Sequence, residues 1–153
     1  MPEMSRRRFV GLAATVVTAC ALCPNTVVLA AAPAQVVDAG ALGDITQDGV
    51  SDKFAASNRF FLIRRRGRVY ASSSTCTHEG RLVKFEPDQA RLRCPAHGSI
   101  FDYEGNLVQG KARRPLCRYA LKLDDKQHVI VDTSKKFEKP DWDNPAAFIA
   151  LPK

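Results

Sequence analysis

Two short segments, Cys76-Thr77-His78 and Cys94-Pro95-Ala96-His97, put two cysteines and two histidines within 22 residues of a 153-residue chain. The whole chain has only five cysteines and three histidines. Each segment offers one thiolate and one imidazole. For the four side chains to meet, the fifteen residues between His78 and Cys94 must fold back on themselves. Their pattern suits that task. Residues 82–85, Leu-Val-Lys-Phe, lead into the turn signal Glu86-Pro87-Asp88, and residues 90–93 alternate small or apolar with basic, as a half-buried strand does. A hairpin is expected, with the two ligand segments side by side at its open end.

The rest of the chain after the N-terminus also reads as short strands. Residues 60–63 and 69–71 flank Arg65-Arg66-Gly67, a hairpin with glycine suited to positive φ. Residues 99–102 form another strand, Tyr103-Glu104-Gly105-Asn106 a turn, and Leu107-Val108 continues. Residues 119–123 and 128–131 make a last hairpin around Asp124-Asp125-Lys126-Gln127. Residues 38–53 carry little periodicity, and residues 134–153 read as an extended C-terminal tail that Trp142 and Phe148 pin to the domain. No long stretch has helical period, so the fold class is all-β, a small sandwich or barrel of one domain.

The N-terminus is an address. Ser5-Arg6-Arg7-Arg8-Phe9-Val10 precedes an uncharged, mostly apolar run to Val37, closed by alanine-rich residues 30–34. This order describes an export segment, and the paired arginines resemble a twin-arginine signal. Residues 1–34 are read as a twin-arginine signal peptide cleaved after Ala34, or as an N-terminal anchor. Residues 9–37 are long enough to span a bilayer, although Pro24 and Asn25 interrupt them. Val17-Thr18-Ala19-Cys20 resembles a lipobox and ranks third. The expected location is the periplasm, either soluble or membrane-tethered.

Net charge is +7, and residues 59–118 alone hold 13 basic against 5 acidic residues. Clustered charge steers encounter, so this region fits an acidic partner. It lacks the interleaved aromatics or recognition helix of a nucleic-acid binder, and no nucleic-acid partner is expected.

Two thiolates and two imidazoles suit a tetrahedral zinc ion or a [2Fe–2S] cluster with two histidines on one iron. Spacing alone leaves both open. Mixed segments favour the cluster, because each crosses both irons, whereas zinc sites usually pair like with like. Here the sequence resembles the Rieske family. Cys76-Thr77-His78-Glu79-Gly80 and Cys94-Pro95-Ala96-His97-Gly98-Ser99-Ile100-Phe101-Asp102 match its two cluster-binding boxes, and Gly110-Lys111-Ala112-Arg113-Arg114-Pro115-Leu116 looks like its cluster-covering loop. The likeness spans about residues 60–132. It implies a Rieske domain over residues 35–133, with three antiparallel sheets and a small cluster-binding subdomain. It also implies a [2Fe–2S] cluster on Cys76, His78, Cys94 and His97, and one-electron transfer through the histidine edges. Ser99, Phe101, Gly110 and Pro115 are expected to surround the cluster.

The departures refine this expectation. Ser99 stands where high-potential members carry a serine that donates to a cluster sulfur, but Phe101 replaces their tyrosine. An intermediate reduction potential follows. The loop-bridging disulfide of cytochrome bc proteins would need cysteines at Arg81 and Ala96, so it cannot form. The export segment resembles that of the small subunit of arsenite oxidase and argues against cytoplasmic dioxygenase ferredoxins. The expected role is a carrier, or a small subunit beside a larger oxidoreductase subunit. The alternatives are a subunit of a quinol–cytochrome c reductase or of an arsenite-oxidase-like enzyme and, in another class, a zinc-stabilised binding module. With all four ligands used and no nucleophile–base pair, the chain itself is read as electron-transferring rather than catalytic.

Overall fold

The computed structural model describes residues 36–152. The export segment, with Cys20 and Cys23, lies outside them. The described strands are β1 (Val36–Ala41), β2 (Gly49–Ser51), β3 (Phe60–Arg65), β4 (Arg68–Ser73), β5 (Lys84–Glu86), β6 (Arg91–Arg93), β7 (Ile100–Phe101), β8 (Leu107–Gln109), β9 (Arg118–Leu123), β10 (His128–Phe137) and β11 (Ile149–Ala150). All pair antiparallel. The described helical turns are short 3-10 segments, and none of the described helices is long and apolar enough to cross a membrane.

The β3–β4 hairpin shows why this sequence forms strands here. Arg65 pairs with Arg68, which leaves Arg66 and Gly67 as a two-residue loop with φ of 50° and 71°. Such a turn twists with the strands it joins. Residues 60–63 are buried on both faces. Phe61 and Ile63 enter the core that contains Cys76 and Cys94, whereas Phe60 and Leu62 enter a second core with Val69, Leu121, Val129 and Val131. A period of two along one strand thus feeds two cores, and an unbroken apolar run is what that demands.

The all-β antiparallel fold agrees with the sequence. Hydrogen bonding links β1-β10-β9 to β4-β3-β2 in one curled sheet, with β11 added on β4, while β5-β6-β7-β8 form a separate four-stranded sheet. The three expected sheets are visible as two three-stranded arms and this smaller sheet. The arms join through just two β4–β9 residue pairs, Ala71↔Tyr119 and Ser72↔Arg118. The small sheet carries the ligand segments. In its first hairpin Lys84, Phe85 and Glu86 face Arg93, Leu92 and Arg91, and Leu92 and Phe101, both fully buried, pair across β6 and β7.

Two regions differ from the sequence expectation. Residues 38–53, which carry little periodicity, contribute the end of β1 and all of β2. The tail is also partly strand: β10 runs on to Phe137 after a bulge, and β11 pairs with β4. Trp142 is buried and covers the guanidinium of Arg118, 4.1 Å from its ring, with Tyr70 on the other side at 3.8 Å. This stack holds the tail on the domain. Burial there pushes the Tyr70 hydroxyl up to about 12 and the Arg118 guanidinium down.

Candidate metal centre

The two ligand segments adopt the same backbone turn. Cys76 N–H donates to the Arg81 carbonyl at 2.8 Å, and Gly80 N–H donates to the Cys76 carbonyl at 2.9 Å. In the second turn Cys94 N–H donates to Ser99 at 2.8 Å, and Gly98 N–H to Cys94 at 3.0 Å. Each turn therefore closes five residues after its cysteine and needs a glycine at the fourth, where φ is 68° in one and 70° in the other. Glycine reaches that region without strain. The β5–β6 hairpin then sets the turns side by side, as the sequence predicts.

The candidate ligands come together there as two pairs, the cysteines in one core and the histidines in ring contact. Cys76 and Cys94 are each 2% exposed and belong to one core with Phe101, Ala112 and Leu116. Burial pushes the Cys76 thiol up, and the adjacent Cys94 thiol adds to this; the backbone amides of His78 and Glu79, aimed at the sulfur, pull the other way. The imidazoles of His78 and His97 lie edge to face, 4.9 Å between centroids at 82°. Their side chains are 25% and 33% exposed. Cysteines are thus sealed and histidines open to solvent.

A third segment closes over both turns. Gly110 has φ of 111°, and a β-carbon there would fall 2.4 Å from Ser99 Cα. That contact lets the chain pass directly above Ser99. Ala112 N–H then donates to the buried Ser99 Oγ at 3.0 Å, and Thr77 Oγ1 donates to the Arg114 carbonyl at 2.7 Å. Pro115 is half-buried and Leu116 fully buried beneath. Arg114 itself pairs with Glu138 of the tail at 3.2 Å. Ser99, Phe101, Gly110 and Pro115 are thereby placed in or against this closure. Thr77, Ala112 and Glu79 were not among the predicted site residues. Glu79 brings its carboxylate 3.9 Å from His78 Nε2 and 3.7 Å from His97 Nδ1.

Cys76, Cys94 and Cys117 are all free. Cys117 is half-buried away from the turns, and burial also pushes its thiol up. The donor set fits a metal centre. Two thiols sit buried and adjacent, and His78 Nδ1 is buried with no hydrogen-bond partner, which is unusual unless its lone pair is used. Cys76 and Cys94 can serve one iron, and His78 and His97 the other.

A curled antiparallel β-domain with two Cys/His turns under a covering loop defines an iron–sulfur or zinc protein by class. Comparison with known families decides between them. The Rieske [2Fe-2S] domain family matches residues 35–133, and the chain belongs to this family, whose cofactor is a [2Fe–2S] cluster. Its relatives include the cytochrome b6-f complex iron-sulfur subunits of Chlorobaculum tepidum and Gloeobacter violaceus. The first is 29% identical over 48% of this chain and 40% of its own length. The second is 32% identical over 49% and 41%. The chloroplastic subunit of Bigelowiella natans is 35% identical over 48% of this chain and 31% of its own. The matches therefore span less than half of each relative. Among solved structures, the plasma membrane Rieske protein PetC3 from Synechocystis PCC 6803 is 25% identical, with a TM-score of 0.48 over 63% of this chain and 99% of that one.

Proposed function

We propose that the protein passes single electrons outside the cytoplasm through a Rieske cluster held by Cys76, Cys94, His78 and His97. The observation that carries this reading is the asymmetry of the site. Both cysteines are sealed in the core, while both imidazole edges reach solvent. Electron exchange with a partner then runs through the histidine side. The bound cluster supplies the one-electron chemistry; the protein holds it, excludes water from the cysteine side and sets its potential. Two amides aimed at Cys76 raise that potential, Ser99 stands where the family resemblance places a further donor, and Phe101 offers no hydroxyl to raise it more. An intermediate value is the expected outcome.

The relatives are subunits of cytochrome b6-f complexes, which supports a place beside a larger membrane oxidoreductase, in a quinol–cytochrome c reductase-like role. In this reading residues 1–34 direct export by the twin-arginine route, or remain as the anchor. The basic covering loop is the docking face for an acidic partner, with Lys111 and Arg113 exposed on it. Arg114 takes less part, since Glu138 already neutralises it.

Purification of the full chain from its membrane-containing extract tests the proposal. Brown protein with iron and sulfide in equal amounts, an axial paramagnetic signal on reduction, and loss of both in C94S are expected. Colourless protein with one zinc overturns it. Reversing the charge of Lys111 and Arg113 is expected to slow electron transfer to the co-purifying partner at low salt more than at high salt. Equal slowing at every ionic strength removes the docking role.

A further inference from the structure

Glu79 stands out at the electron port. Around it the chain is basic: Arg81 and Lys84 line the same open groove, together with Pro95, Ala96 and His97. Yet the residue beside the two imidazoles is a carboxylate, within 4 Å of a nitrogen of each ring. At 3.7 and 3.9 Å these are Coulombic contacts rather than hydrogen bonds. A carboxylate this close to an imidazole acts on it through its charge and not by holding its ring. Glu79 brings one carboxylate near both rings. The closure of the first turn places it there: Gly80 and Arg81 bend the chain back, so the side chain that follows His78 is carried toward His97.

We propose that the carboxylate charge of Glu79, set within 4 Å of both histidine ligands, lowers the reduction potential of the cluster. The proposal rests on the cluster reading above. Reduction brings one electron from the redox partner onto the iron pair, and no bond is made or broken. A fixed negative charge beside the two histidine ligands would oppose that step and favour the oxidised state. Glu79 is half exposed, so water screens much of the effect. A change of about tenfold in the redox equilibrium is expected, which for one electron is about 59 mV. Glu79 acts through its charge in this scheme. It touches the ligands and leaves the iron to them.

The test is a spectroscopic redox titration of the full-length, cluster-loaded protein with E79Q, E79S and E79D. Both neutral variants are expected to shift the midpoint upward by about that tenfold, and E79D to stay near the parent. Neutral variants that titrate with the parent, or below it, overturn the proposal. So does an upward shift in E79D equal to theirs, because that reports disturbed packing rather than lost charge. If the neutral variants lose their cluster, iron and sulfide content become the measure. Retention in E79D alone supports the charge role, and loss in E79D as well defeats it. A parent protein without a cluster defeats the earlier reading instead, so the two failures are distinguishable.

Discussion

Residues 76–81 and 94–99 form the same turn, with the cysteine amide bonded five residues on and a glycine bonded back to the cysteine. Their surroundings are unlike. The first turn ends on exposed Arg81, carries exposed Glu79, and is tied to the covering loop by the Thr77 hydroxyl. The second ends on Ser99, which is fully buried and held from above by Ala112 N–H. The first turn ends in solvent and the second ends in the core, although each has exposed residues in its middle. A shared backbone shape therefore does not imply shared energetics. The buried end of the second turn depends on close fit and on polar groups that water cannot rescue, whereas the exposed end of the first can exchange a lost contact for water.

The contrast predicts where substitutions hurt most. At Gly110 a methyl group meets Ser99 Cα at 2.4 Å and Oγ at 2.8 Å, at a φ of 111° that alanine does not adopt. G110A is expected to cost more than about 3 kcal/mol through strain and overpacking together, and to lose the cluster. Thermal unfolding and iron content check this; a stable, iron-loaded G110A would show that the covering loop can lift away from the second turn. S99A comes next. It leaves the buried Ala112 N–H without an acceptor, at about 1–3 kcal/mol, and in the proposed scheme it also lowers the midpoint potential. Denaturant titration reads the first effect and redox titration the second. Unchanged stability would mean that the second turn is no more dependent on burial than the first.

Much of this was legible in the sequence, for reasons that differ by element. The hairpins at residues 60–73 and 84–93 announce themselves by alternation and by turn residues of the right kind, and the ligand set by the rarity of its residue types. β1 and β2 were missed because they are edge strands of Val36–Ala41 and Gly49–Ser51. Each takes its strand character from a single neighbour, so glycine and aspartate there obscure the pattern. β11 has only two residues, and β4 supplies its partner groups. Within the site, the repeated spacing Cys76…Gly80 and Cys94…Gly98 was a readable sign of twin turns. The grip of Ala112 on Ser99 and the approach of Glu79 to both rings were not readable. They depend on a backbone amide and on where two turns meet in space, neither of which leaves a residue pattern.

The smaller effects test the likeness of the turns. G80A and G98A add a β-carbon with nothing closer than 3.9 Å, so each meets only the cost of left-handed φ. About 1 kcal/mol is expected from each. Unfolding free energies that separate the pair by more than about 0.5 kcal/mol, the scatter usual between independent sites, would break the equivalence. T77V is the mildest. It removes a 2.7 Å bond to the Arg114 carbonyl, but that carbonyl belongs to an exposed residue and water can take the place of the hydroxyl. A loss of about 0.5 kcal/mol is expected, with faster amide exchange over residues 111–114 and with T77S restoring the parent rate. If T77V instead destabilises as much as S99A, the first turn is as dependent on its tether as the second is on burial. The covering loop is then a clamp with two equal jaws, rather than a lid hinged on Ser99.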